Sequence, residues 1–185
     1  MRGVEKELGL YISAGPEMDS ECELVGQLLA EMTKSVRWTI KRTPCPPQAL
    51  NPDLNQLRHS QFYVILMGMD VVAPMGVELD AARAARLAIM PFRSRAATAS
   101  PAAAHFSHHT DLRWQWYDSP QEFVRQFEQQ LLTELIAGTP GYGLDLADIE
   151  ELSGRLKALE EGGQPTDQAG DRHGAGRGGI ILPTN

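Results

Sequence analysis

Cysteine is nearly absent. Cys22 and Cys45 are the only two in 185 residues, too few to staple a secreted scaffold. Cys22 falls on the apolar face of an expected helix, where a thiol behaves as a small core side chain, and Cys45 sits in a loop between Pro44 and Pro46. Positive charge is also short: 17 Lys and Arg face 24 Asp and Glu, for a formal net charge of -7. That balance leaves no clustered basic surface for broad binding to a nucleic-acid backbone. No apolar run approaches the roughly 20 residues that cross a bilayer. The opening MRGVEKELGLYIS alternates charge and apolarity too early for a secretory signal. The expected setting is therefore cytoplasmic, away from membranes. Neither GxGxxG nor GxxxxGK[ST] occurs, which removes the dinucleotide fingerprint and the P-loop, and no internal repeat is visible.

What is present is an alternation of strands and helices in a chain long enough for one well-buried core. Leu8 to Ser13 is a short strand candidate broken by Ala14-Gly15-Pro16. Met18, Cys22, Val25, Leu28, Leu29 and Met32 recur at steps of three and four, which predicts an amphipathic helix over 17–33 with acids in its first turn. Val36 to Lys41 reads as a second strand, followed by the proline-rich TPCPPQALNP and a short helix over 52–59. Phe62 to Met67 is an unbroken apolar run, the pattern of a strand covered on both faces. Gly68 ends it, and Glu78, Ala81, Ala82, Ala85 and Arg86 follow at helical spacing before the apolar strand Leu87 to Phe92. The Ala/Ser/Pro-rich stretch 93–104 reads as a mobile loop. Leu112 to Tyr117 is the fifth strand, with Leu112, Trp114 and Trp116 alternating against Arg113, Gln115 and Tyr117. Ser119-Pro120 then caps a helix striped by Phe123, Phe127, Leu131 and Leu135.

Five strands joined by helical connections imply an α/β flavodoxin-like three-layer sandwich around a five-stranded parallel sheet of order 2-1-3-4-5. The core domain is expected over 1–138. An acidic helix with a narrow apolar seam (Leu146, Ile149, Leu152, Leu156, Leu159) is expected over 139–161, suited to packing on one partner. A flexible Gly-rich tail over 162–185 ends in the apolar patch Ile180, Ile181 and Leu182.

Ligands of such sheets sit beyond the carboxyl ends of the strands, and three groups of residues lie there. Glu78 is expected near the start of its helix, where a carboxylate can act as nucleophile or base toward a sugar carbon. An acid in a first turn also simply complements the helix dipole. Ser13, Ala14 and Gly15 form a turn whose N–H groups can hold phosphate or ribose oxygens, or an ordinary strand-to-helix turn. Gly68 and Asp70 are the third group: Asp70 can accept a ribose hydroxyl or satisfy its own turn. His105, His108, His109 and Asp111 resemble metal ligands in composition, but their loop setting, without HExxH or cysteine, reads as solvated and not as a metal site.

The phrase Leu10-Tyr11-Ile12-Ser13-Ala14-Gly15-Pro16, with Ser20-Glu21 after it, resembles the opening of nucleoside 2-deoxyribosyltransferases. Gly76-Val77-Glu78, with Ala81, Ala82 and Ala88-Ile89-Met90-Pro91, looks like that family's glycine, glutamate, alanine and strand segment. The layout over about 8–136 is also similar to Toll/interleukin-1 receptor (TIR) domains and their bacterial relatives. The resemblance implies a flavodoxin-like sheet and attack on an N-glycosidic bond, with Glu78 at the anomeric carbon or on the ribose hydroxyls. It implies that Ser13, Gly15 and Gly68 line the pocket, with Gly76 beside it. No cofactor is required; NAD or another nucleotide is the expected substrate or ligand. In place of the aspartate that transferases carry before the glycine, Pro74 and Met75 precede Gly76 here. The rival expectation is a non-catalytic sensor or adaptor that recruits a protein partner, or a second copy, through 146–161 and 180–182.

Overall fold

The computed structural model describes residues 6–32, 36–44, 51–138 and 141–162. Cys45, the segment 163–185 and its patch 180–182 lie outside the described residues. Five parallel strands, β1 (Lys6–Ala14), β2 (Val36–Arg42), β3 (Phe62–Met67), β4 (Ala88–Ser94) and β5 (Gln115–Tyr117), form one sheet of order β2-β1-β3-β4-β5. This is the flavodoxin-like α/β arrangement, and its reversal of strand order lies between β1 and β3.

The helices are α1 (Asp19–Glu31), α2 (Leu54–His59), α3 (Ala73–Ala84), α4 (Pro101–His109), α5 (Pro120–Ala137) and α6 (Leu146–Gly162). β1 and β3 are buried on both faces, so their alternate side chains feed two separate cores. Leu10, Ile12, Phe62, Val64 and Leu66 join residues of α1 and α5 on one side. Tyr11, Tyr63 and Ile65 join Leu57 and the Met75, Leu79 and Ala82 stripe of α2 and α3 on the other.

Several expectations change. The helix after β1 begins at Asp19, because Pro16–Met18 first makes a 3-10 turn that takes Glu17 out of α1. Glu21, expected to serve the helix dipole, is buried and accepts hydrogen bonds from Tyr117 Oη at 3.2 Å and Ser20 Oγ at 2.6 Å. The expected loop over 93–104 shrinks to 95–100, its first two residues ending β4 and its last four starting α4. Ser100 caps α4 by accepting the Ala103 N–H, and Pro101 follows, the same Ser-Pro start that Ser119 and Pro120 give α5. In β5, only Gln115–Tyr117 pairs with β4: Leu112 and Trp114, ahead of it, pack against the α3-side core, whereas Tyr117 is buried and Trp116 is exposed under the Arg93 and Arg95 guanidinium groups. Ser119→Ala is expected to cost about 1 kcal/mol, since the Glu122 N–H loses its acceptor. A denaturant midpoint unchanged in that variant would refute the cap's contribution.

The narrow seam of α6 is covered within the chain from Ile149 onward, while Leu146 stays exposed. Leu152 is buried, and Ile149, Leu156 and Leu159 pack against the α1/α5 core, with Arg155 paired to Glu128 of α5. Asp145 and Asp148 accept each other's backbone N–H at 3.0 Å, a capping box that starts α6. Asp148 also holds Lys6 Nζ at 3.0 Å, tying α6 to the first residue of β1.

Candidate functional site

Strand alternation puts Tyr11 and Ser13 on the α3 side of β1. Helix α3 starts earlier than expected, with Pro74 in its first turn, so Glu78 lies in the second turn and not at the dipole's end. Positions 75, 78, 79 and 82 fall on one face at steps of three and four, and all are buried. Glu78 is thus the acidic member of an otherwise apolar stripe pressed on the sheet.

Its carboxylate is fully buried and engaged at both oxygens. Oε1 accepts from Tyr11 Oη at 2.8 Å. Oε2 accepts from Ser13 Oγ at 2.5 Å and from Thr43 Oγ1 at 2.7 Å. Thr43, just past β2, is itself fixed by donating its N–H to the Ile12 carbonyl at 2.9 Å and accepting the Ala14 N–H on Oγ1 at 3.1 Å. Hydrogen bonds to a charged acceptor are the stronger ones, contributing roughly 1.5–3 kcal/mol each, which offsets part of the cost of burying the carboxylate. Tyr63 pairs with Tyr11 across β1 and β3, their ring centroids 6.3 Å apart. The Tyr63 hydroxyl is buried within reach of Ser13 yet makes no hydrogen bond of good geometry. Burial, and then the charge of Glu78, push the Tyr11 phenol well above its ordinary range; burial does the same to Tyr63. Both phenols remain hydrogen-bond donors at neutral pH.

The Ser13 turn and the Gly68 loop lie side by side past the carboxyl ends of β1 and β3, joined by Glu17 and Met18. A side chain at Gly15 would collide with the Glu17 carboxylate, and one at Gly68 would meet Met18 Sδ at 2.8 Å and Glu17 Cγ at 3.0 Å. Glu17, exposed on its 3-10 turn, therefore lies over both glycines and accepts the Asp70 N–H at 3.4 Å. Asp70 is exposed and turns to α4: its Oδ1 accepts from Ser100 Oγ at 2.6 Å and from the Val71 N–H at 2.8 Å, and these bonds, Ser100 first, hold its carboxyl below the usual range. Gly76 lies two positions before Glu78, about 200° around α3, with open space where a Cβ would stand.

The structure thus brings Ser13 onto the Glu78 carboxylate, has Ala14 hold Thr43, which also bonds it, and sets Gly15 and Gly68 together against Glu17. Asp70 joins the loop after β3 to α4, and Gly76 faces elsewhere. Tyr11, Thr43, Tyr63 and Glu17 belong to the arrangement without having been singled out as site residues. Tyr11 was findable, since strand periodicity puts it on the same face as Ser13; Thr43 comes from the proline-rich connection, where no period exists to place it. Two surface clefts, one of about 280 Å³ between α1 and β2 near Leu29, Trp38 and Ile40 and one of about 240 Å³ near Gly9, Gln56 and Gln61, lie away from Glu78. Among the described residues, no group of three or more His, Cys, Asp or Glu side chains is placed to hold a metal ion, and no helix is long and apolar enough to cross a membrane.

Chemically, a fully buried carboxylate that accepts three hydroxyl hydrogen bonds is a fixed acceptor whose charge is met by oriented donors. Comparison with protein-family models, with curated proteins and with solved structures gave no match to this chain.

Proposed function

We propose that this domain binds a nucleoside or nucleotide, NAD included, in the manner of the TIR and deoxyribosyltransferase families, and cleaves its N-glycosidic bond with Glu78. The observation that carries this reading is the carboxylate at the carboxyl end of β1, beside the switch from β1 to β3, with three hydroxyl donors on it. In this reading, ribose hydroxyls take the places of Ser13 and Thr43, which frees Glu78 to hold the sugar or to attack its anomeric carbon. As the bond between that carbon and the base nitrogen breaks, an attacking Glu78 forms an ester to the sugar, and water then hydrolyses it, leaving its hydroxyl on the sugar and regenerating the carboxylate; water's other proton goes to the departing base of a nucleoside or, for NAD, whose nicotinamide leaves neutral, to solvent. Glu17 must swing off Gly15 and Gly68 for a ligand to enter, which an exposed side chain on a three-residue turn can do.

Purified protein incubated with NAD and with common nucleosides is expected to release free base, and Glu78→Gln to lower the rate by at least roughly 100-fold. Release that persists in Glu78→Gln rules out the assignment.

A second reading, a non-catalytic sensor or adaptor, is favoured by the complete burial of Glu78 and the occupation of both its oxygens. It is selected if a nucleoside raises the melting midpoint and no base is released. In that case recruitment of a protein partner falls to surfaces other than the α6 seam, which already packs on α5, such as the exposed acidic face of α6 or the apolar 180–182 segment.

A further inference from the structure

The helical folding of 101–109 changes what its histidines can do. In a loop, His105 and His109 have no fixed relation; in α4 they stand one turn apart on the same exposed face. Their ring centroids lie 3.8 Å apart with 23° between the planes. His109 Nδ1 lies 2.8 Å from the His105 carbonyl oxygen, which can only accept. In the neutral ring, Nδ1 therefore carries the proton and Nε2 keeps its lone pair. A hydrogen bond from one imidazole nitrogen to a backbone carbonyl is the usual way a histidine ligand is oriented for a metal on the other.

We propose that His105 and His109 form a two-histidine site for a divalent transition cation on the surface of α4. Spacing of four on a helix is the spacing at which two imidazoles reach one ion. With His109 held by that carbonyl, rotation about the side-chain bonds of His105 alone takes its ring out of the stack and turns a nitrogen toward an ion on His109 Nε2. Among the described residues no third protein ligand is gathered there, and water completes the coordination. Imidazole donors select zinc, nickel or copper over magnesium or calcium. The site is separate from Glu78 but α4 is joined to the loop after β3, because Ser100, the cap of α4, donates to Asp70 from its hydroxyl and to the Met69 carbonyl from its N–H at 2.7 Å.

The test is titration of the full, untagged chain with zinc chloride and with nickel chloride, followed by calorimetry and by melting. A saturating cation is expected to raise the melting midpoint by several degrees, as any ligand held only by the folded state does. His105→Ala and His109→Ala, both at exposed positions that leave the fold intact, should each weaken binding by roughly 100-fold, because a chelate becomes a single contact. His108→Ala and His59→Ala should bind like the parent. No binding by the parent, binding that survives both His105→Ala and His109→Ala, or equal dependence on His108 overturns the proposal.

Discussion

Alanine at position 78 is expected to lower the stability of the domain by about 3 kcal/mol, a shift of roughly 10 °C in melting midpoint for a domain of this size. Two terms of opposite sign decide the figure. Removing a fully buried carboxylate recovers its desolvation cost, which favours the variant. Against that, Tyr11, Ser13 and Thr43 lose the acceptor they share, and a cavity opens under α3 between Met75, Leu79 and the sheet. Thr43 has a fallback in the Ile12 carbonyl at 3.4 Å, whereas Tyr11, with its hydroxyl in a dry layer, has none among its observed bonds. Glu78→Gln keeps the volume and one acceptor and should cost roughly 1–2 kcal/mol. The contrast matters for interpreting any activity lost at this position. If Glu78→Ala melts within a degree of the parent, the three hydroxyls do not depend on the carboxylate and the described arrangement is wrong.

Raising the pH above about 10 is expected to unfold the domain steeply. All four tyrosines have phenols pushed above their ordinary value, by burial first in every case and then by the carboxylates Glu78 beside Tyr11, Glu21 beside Tyr117 and Glu134 near Tyr142. A phenol whose pKa rises on folding makes no difference to stability below about pH 10, where it is protonated in both states. Above that, the unfolded chain releases protons that the native state retains, and stability falls by up to about 1.4 kcal/mol per pH unit for each phenol. With Tyr11, Tyr63 and Tyr117 fully enclosed, the slope approaches roughly 4 kcal/mol per pH unit, enough to exhaust a stability of about 5–10 kcal/mol between about pH 11 and 13. Phenolate absorbance and loss of helical circular dichroism should therefore rise together in one transition. Phenolate forming near pH 10 in a protein that keeps its native spectrum would contradict the burial of these rings. Tyr11→Phe should flatten the slope, although it also removes a donor from Glu78.

These expectations rest on an architecture that the residues largely announce and on a site they announce in part. The run FYVILM, β-branched and uninterrupted, could only be a strand covered on both faces, and β3 occupies those six residues. The striped helices α1 and α5 were equally legible, because period and burial coincide there. Where polar or helix-breaking residues carried the structure, the reading slipped. Pro74, Gly76 and Val77 disguise the start of α3, which pushed Glu78 toward an imagined first turn. The alanines and histidines of 101–109 suggested a loose loop, although Ser100 and Pro101 are a start signal of the same type that was recognised at Ser119 and Pro120. The alternation over 112–117 does not say which set faces inward, and the short pairing of β5 leaves Tyr117 inward and Trp116 under two arginines. The partners of Glu78 were hidden for a different reason. A strand buried on both faces gives no polar alternation to say which side chains meet which helix, and Thr43 reaches the acid only through the fold.

The latch between Lys6 and Asp148 carries a consequence for the order of events in synthesis. Their contact spans 142 positions, and Tyr142, just before α6, lies with its ring centroid 5.1 Å from that of Phe62 at the start of β3. The two central strands emerge from the ribosome early, and Trp38 of β2 covers one side of Phe62, but the segment that brings α6 completes the cover. Until that segment is free of the exit tunnel, the floor of the sheet stays open, and closing so long a loop is slow. The domain therefore matures late and as a unit, and the growing chain must keep Phe62 from finding other apolar company in the meantime.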